Sequence, residues 1–256
     1  MAEDDSVPGI DYTKLLEEIG LAQRSRQGSF EAILRYLEGR PLGRVLDAPC
    51  GPGLLSETLR RLGHNVTAVD LDDDLDPHPD IDFRALDLDE PLPFSDQAFD
   101  VVICGDGIEH MENHFGLIRE FSRVLRANGY LYIATPNYLD IERRLKFFLT
   151  GSMARPLPRR RGTLGEPKRP LDHINPVTLT RLAHIAEGAG LDLVRSKTVS
   201  PRRKRILLAP LAVLVRVCCA FLPSSRKQNL FFEHTHSMEM LLGKVLIAEF
   251  RRRESV

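Results

Sequence analysis

Val45-Leu46-Asp47-Ala48-Pro49-Cys50-Gly51-Pro52-Gly53 is a short apolar run entering a cluster of glycine and proline. Behind it Leu54, Leu55, Thr58, Leu59 and Leu62 recur at helical spacing until Gly63 stops them, so the stretch reads as strand, glycine turn and helix. Glycines in such a turn let the backbone approach a ligand closely, and the start of the helix offers unpaired N–H groups. The turn does not spell the G-x-G-x-x-G of a dinucleotide site. Its acid, Asp47, would repel a pyrophosphate and attract a cationic group.

Working outward, His64 to Asp70 reads as a strand whose last residue lies seventeen positions beyond Gly53, where an acceptor for ribose hydroxyls belongs. Ile81 to Leu88 is another strand, and Ala98 to Cys104 is the continuous apolar kind that a parallel sheet buries on both faces. Phe115, Ile118, Phe121, Val124 and Leu125 share one helical face that Asn128-Gly129 ends. Tyr130 to Thr135 is a fifth strand. Pro176 opens a helix carrying Leu179, Leu182, Ile185 and Ala186, with Gly188 and Gly190 as its stop; Leu191 to Val199 and Gly243 to Phe250 complete the strands.

This alternation predicts an α/β fold, a Rossmann-like seven-stranded, mostly parallel sheet with helices on both faces. No helical pattern of ordinary length separates the last two strands, so the last is expected to be antiparallel. The whole chain, 1–256, reads as a single domain with an N-terminal helical segment, 1–42, and two irregular stretches, 138–175 and 200–240. Both stretches follow carboxyl ends of strands, the edge where open α/β sheets bind ligands, and are read as insertions on the substrate side.

With 43% apolar residues among 256, the chain can fill a sizeable core, which excludes wholesale disorder. Its net charge of −1 conceals two unlike halves. Residues 1–128 carry 12 Lys and Arg against 26 Asp and Glu, while residues 129–256 carry 23 against 10, so the halves differ from −14 to +13. An acidic half suits a polar or cationic ligand, and a basic half suits phosphate, nucleic acid or an anionic membrane. Cys50, Cys104, Cys218 and Cys219 show no metal-binding spacing, and the start, Met1-Ala2-Glu3-Asp4-Asp5, lacks the basic and apolar regions of a signal peptide. The expected location is cytoplasmic.

From about Gly43 to Asn137, with a looser tail to Phe250, the sequence resembles the class I S-adenosylmethionine-dependent methyltransferases. Asp47 to Gly53 is similar to the first motif of that family, Asp70 to its ribose acid, and Asp87-Leu88 to the pair near the adenine. Pro91-Leu92-Pro93-Phe94, Phe99-Asp100-Val101-Val102 and Thr135-Pro136-Asn137 follow in the family's order. The resemblance implies S-adenosyl-L-methionine as cofactor, held by Asp47, Gly51, Gly53, Asp70, Leu71, Asp87, Leu88 and Asp106. Pro49 stands where a glycine is common; it removes an N–H, which implies one donor fewer in the loop.

A sulfonium methyl is already activated, so the enzyme must align a nucleophile and help it lose a proton. Asp106-x-x-Glu109-His110 follows the fourth strand. In ubiquinone-pathway O-methyltransferases and in metal-dependent small-RNA methyltransferases an acid-x-x-Glu-His at this place holds a divalent ion, and His173 resembles a later ligand of the second group. The metal-free reading is preferred, because Glu-His after strand four also occurs in metal-free relatives; a site of Asp106, Glu109, His110 and His173 is the alternative. His110 and His236 are the candidate general bases, His236 because it precedes the final strand.

Ile206 to Leu222 contains one charge, Arg216, and falls short of a membrane span. Arg202-Arg203-Lys204-Arg205 precede it and Arg226-Lys227 follow it, so it reads either as a segment against an anionic membrane or as a buried lid. Arg155, Arg159, Arg160, Arg161, Lys168 and Arg169 form a second basic cluster without interleaved aromatics, which makes nucleic acid the less favoured partner. Thr135-Pro136-Asn137 followed by Arg143, Arg144, Leu145, Phe147, Phe148 and Gly151 also resembles methyltransferases of bacterial envelope-glycan and secondary-metabolite pathways. The resemblances imply O-methylation of a small-molecule, glycan or lipid-linked acceptor. The rivals are an RNA ribose methyltransferase and a cofactor-binding partner subunit without turnover.

Overall fold

A computed structural model describes residues 28–75, 77–152, 173–199, 207–229 and 232–254. Its core is a seven-stranded sheet of order β3-β2-β1-β4-β5-β7-β6. The strands are β1 (Arg44–Asp47), β2 (Asn65–Asp70), β3 (Asp82–Ala85), β4 (Phe99–Gly105), β5 (Leu125–Pro136), β6 (Leu191–Val199) and β7 (Val245–Arg252). The first five run parallel, and β7 lies antiparallel between β5 and β6, so the expectation of an antiparallel last strand holds. Val245 pairs with Pro136, which places the start of β7 at the carboxyl edge of β5.

Between the strands lie α1 (Ser29–Leu37), α2 (Leu54–Arg61), α3 (His114–Val124), α4 (Ile141–Thr150) and α5 (Leu179–Gly188). Four helices, α6 (Ala209–Ala220), α7 (Ser224–Asn229), α8 (Phe232–Thr235) and α9 (Met238–Leu242), join β6 to β7. The 12 residues of α6 correct the expectation that no helix of ordinary length separates the last two strands; its uniformly apolar sequence lacks the one-sided pattern by which a helix is read. The sheet buries apolar residues on both faces. Leu46, Val102, Ile133 and Leu246 pack with Ile118 and Phe121 of α3 and Leu182 of α5, while Val45, Ala68, Ile103 and Ile247 pack with α1 and α2. This is the near-continuous apolar content of a doubly covered sheet.

The helix before β5 departs from its expected pattern. Its N-cap is Asn113, whose side chain accepts from Gly116 N at 2.8 Å, so Phe115 falls on the outer face and Leu117 on the buried one. The helix stops at Val124, and Leu125 already pairs with Phe99. Asn128 then takes a left-handed conformation, φ +62°, inside the strand instead of capping a helix.

Glu249 of β7 is fully buried and receives Arg40 at 2.6 Å and Arg195 at 2.5 Å. Those guanidiniums stack on Tyr130 and Tyr36, tying the end of α1 to the far side of the sheet. A carboxylate buried this deeply needs both partners, and losing one strands its charge. Residues 1–27, the cluster Arg155 to Arg169, and Arg202 to Arg205 with Ile206 lie outside the described residues. Among the described residues no helix is long and apolar enough to cross a membrane.

Candidate functional site

The carboxyl ends of β1, β2, β4 and β5 meet at one edge. Asp47, the last residue of β1, is 1% exposed and accepts a 2.6 Å hydrogen bond from Ser56 Oγ on α2. Burial pushes its carboxyl up to about 7, while the Ser56 hydrogen bond acts against the shift and the nearby Asp70 charge adds to it. Gly51 (φ +52°) and Gly53 (φ +75°) turn the chain from β1 into α2. A Cβ on Gly51 would meet nothing within 4 Å, so the loop has open space there. Asp70 Oδ2 accepts from Gly51 N at 2.8 Å, which fixes the loop to the end of β2. Leu71, half exposed, follows. Across the edge, Asp87 closes a turn by accepting from Asp89 N at 3.0 Å, and Leu88 packs into the core.

Pro49, in a cis peptide with Ala48, sits against Gly107; a Cβ there would lie 2.2 Å from Pro49 Cδ. The residue before it, Asp106, has φ +52°, and the chain then winds into a single 3₁₀ turn, Ile108–His110. The cradle thus combines a glycine turn, a helix start without a side-chain cap at Gly53, and two acids, of which one is buried. A nucleoside with a cationic centre fits this set better than a phosphate would.

Beside the cradle the 3₁₀ turn presents Glu109 and His110. Glu109 is 1% exposed, accepts from Thr135 Oγ1 at 3.0 Å, and has its carboxyl pushed up to about 7 by burial. Asn175 N donates to the Glu109 carbonyl at 3.1 Å and Asn175 Nδ2 reaches the carbonyls of Met111 and Glu112, so the segment before α5 is sewn to the turn. That brings His173 Nε2 to 4.0 Å from Glu109 Oε1, and the rings of His110 and His173 meet edge to face at 5.0 Å. Tyr138 OH lies 2.9 Å from His173 Nδ1. One donor atom each from Glu109, His110 and His173 falls within 4.8 Å of the others.

The structure therefore gathers three of the four expected ligands, and Asp106 is not in that group. His236 is not in it either. It is buried between α8 and α9 with Nδ1 2.9 Å from Thr235 Oγ1, and burial and the charges of Arg144 and Arg216 lower its pKa. His234 is exposed beside Ser196. Sequence reading missed Tyr138, thirty-five positions before His173, and His114, whose Nε2 lies 2.8 Å from the Ile108 carbonyl and pins the 3₁₀ turn. Only the Tyr-x-Asp after Pro136-Asn137 and the His at the helix start were there to be noticed.

These features define a doubly wound nucleoside-binding α/β protein with an acidic glycine-turn cradle and a carboxylate–imidazole cluster at its rim. The family described as "Methyltransferase domain" matches residues 21–196, and the chain belongs to it as an S-adenosylmethionine-dependent methyltransferase. The chain is 30% identical over 202 residues to a ubiquinone biosynthesis O-methyltransferase of Xanthomonas campestris pv. campestris (strain B100), covering 74% of this chain and 82% of that one. It is 30% identical over 139 residues to a demethylmenaquinone methyltransferase of Chlorobaculum parvum, covering 52% of this chain and 57% of the other. Among solved structures, a SAM-dependent methyltransferase from Archaeoglobus fulgidus shares the fold at a TM-score of 0.59 and 17% identity, over 95% of this chain and all of that one.

Proposed function

We propose that the protein transfers a methyl group from S-adenosylmethionine to a hydroxyl of an apolar small-molecule or lipid-linked acceptor, in a single domain spanning the chain. The observation carrying this reading is the Glu109–His110–His173 cluster at the rim of the acidic cradle. The names of the relatives support the acceptor class: one is a ubiquinone biosynthesis O-methyltransferase, and the other is named for demethylmenaquinone. The envelope-glycan resemblance noted above points to a lipid-linked acceptor as well. The basic, apolar segment before β7 suits peripheral contact with an anionic membrane from a cytoplasmic location.

In this reading Asp47 faces the positive end of the cofactor, Asp70 takes the ribose hydroxyls, and the Gly51–Gly53 loop lets the backbone close on it. Leu71, Asp87, Leu88 and Asp106 line the remainder. The bound cofactor supplies an electrophilic methyl on a sulfonium. His110 takes the proton of the acceptor hydroxyl at a ring nitrogen, which would free the oxygen as the nucleophile for that methyl. Glu109 holds the charge balance beside it, and Tyr138 fixes the orientation of His173.

Asp70→Ala tests the cradle. Losing a charge-assisted hydrogen bond should cost roughly 1.5–3 kcal/mol, hence about tenfold or more in affinity for S-adenosylhomocysteine by calorimetric titration. Unchanged affinity in the folded variant would remove Asp70 from the site.

A second reading, favoured by three donor atoms within 4.8 Å, is a divalent ion on Glu109, His110 and His173. The residues fit: Thr135 and Tyr138 already orient Glu109 and His173 from behind, as outer partners of metal ligands do. Such an ion would lower the pKa of a bound hydroxyl. Manganese titrated into metal-free protein should then release heat in the wild type and none in H173A, and full activity after chelation would exclude a catalytic ion.

A further inference from the structure

α4 and α6 leave the body of the protein with their apolar sides outward. In α6 only Ala212 is buried, although Arg216 is the helix's one charge, and Val213, Leu214, Val217 and Phe221, which follows the helix, are exposed. On α4 only Ile141 is buried, while Leu145, Phe147, Phe148 and Leu149 face solvent. Phe148 and Phe221 are each 83% exposed. A helix apolar on every side belongs inside a protein or against another apolar phase.

Both helices hang from the same turn. Arg144 of α4 donates to the Thr235 carbonyl at 2.9 Å, and Arg216 of α6 donates to the His236 carbonyl at 3.0 Å. Arg143, Arg144 and Arg216 thus turn to backbone carbonyls and much of the hydrocarbon is left outside.

The sequence that adjoins these helices selects the occupant. No Asp or Glu occurs in it from Arg143 to Gly165 or from Leu193 to Phe232, and those stretches carry seven and nine Lys or Arg, of which Arg143, Arg144, Arg195 and Arg216 are engaged within the protein. A second copy docked on the same face would set basic residues against basic residues. An apolar phase under an anionic surface matches both the hydrocarbon and the charge.

We propose that the outward faces of α4 and α6 dock on an anionic membrane and that the acceptor passes from the bilayer to the Glu109 cluster along α4. The docking stands on the exposed faces and the charge; the delivery rests on the methyl-transfer reading above. α4 joins the two places: Arg143 in its first turn lies 4.5 Å over the Tyr138 ring, which meets His173, and Phe148 follows Ile141 by about 10 Å of helix.

Co-sedimentation with vesicles of phosphatidylglycerol and phosphatidylcholine, against phosphatidylcholine alone, tests it. The full chain should bind the anionic vesicles, be released by salt, and leave the neutral ones in solution. Phe148→Ser together with Phe221→Ser should weaken binding at least about tenfold, since each ring loses its burial in hydrocarbon. Both side chains are exposed, so the variant is expected to fold, and its S-adenosylhomocysteine affinity should match that of the wild type. Undiminished vesicle binding by the double variant would overturn the proposal, as would a wild-type dimer that the two substitutions turn into a monomer without any vesicle binding. A wild type that sediments with anionic vesicles but binds no S-adenosylhomocysteine would leave the docking standing and refute the delivery.

Discussion

His110→Ala should lower kcat by about 10²–10⁴-fold while S-adenosylhomocysteine affinity stays within about threefold, because a positioned base acts on the proton and not on the cofactor. The expectation rests on place. His110 ends the 3₁₀ turn beside the cradle, its ring edge-on to His173, and is more exposed than the almost wholly buried Glu109. Steady-state kinetics with a hydroxylated acceptor, paired with calorimetry, separates the two quantities. A variant that keeps its turnover would take His110 out of the chemistry; one that loses cofactor binding in proportion would make it a wall of the cofactor pocket. His236→Ala, by contrast, should leave turnover nearly intact, since that imidazole is packed among α8, α9 and two arginines.

The second large effect concerns Asp47. Its carboxyl is pushed up to about 7 in the folded chain, from an ordinary value near 3.8, chiefly by burial. The unfolded chain therefore loses this proton at lower pH than the folded one. Stability from the group is complete below about pH 4, falls as pH rises, and is gone above about pH 7. D47N removes that penalty: the ligand-free variant should be more stable than the wild type by about 2–4 kcal/mol at pH 8, and by almost nothing at pH 4. Thermal unfolding at the two pH values reads this directly. The same substitution should cost tenfold or more in S-adenosylmethionine affinity, because a cationic ligand is what the ionised carboxylate serves. Wild-type affinity should accordingly rise with pH up to about 7, and that of D47N should not. A destabilised D47N protein with unchanged affinity would make Asp47 a structural partner of Ser56 alone.

What could be read from the sequence was what local physics writes there. The glycine turn after Val45-Leu46-Asp47-Ala48, the acid closing β2 and the apolar run of β4 each declare themselves within ten residues, and their order predicts the sheet. Asn128-Gly129 misled because an Asn in the left-handed region suits a helix end and a kinked strand equally; pairing of Leu125 with Phe99 decides for the strand. Contacts made by folding were not legible. Asn137 Nδ2 bonds to the carbonyls of Met240 and Gly243, more than a hundred residues on, and Tyr138 finds His173 only because Asn175 is fastened to the Glu109 turn. Nor does a sequence show that two apolar helices sixty residues apart are held by arginines on adjacent carbonyls.

The central claim is methyl transfer from S-adenosylmethionine to an apolar hydroxylated acceptor. Labelled-methyl transfer into fractionated lipid, glycan and RNA extracts tests it most directly. Label is expected in the lipid fraction, dependent on His110 and not released by ribonuclease. Label confined to the RNA fraction, or none in any fraction from a chain that binds S-adenosylmethionine, would contradict it.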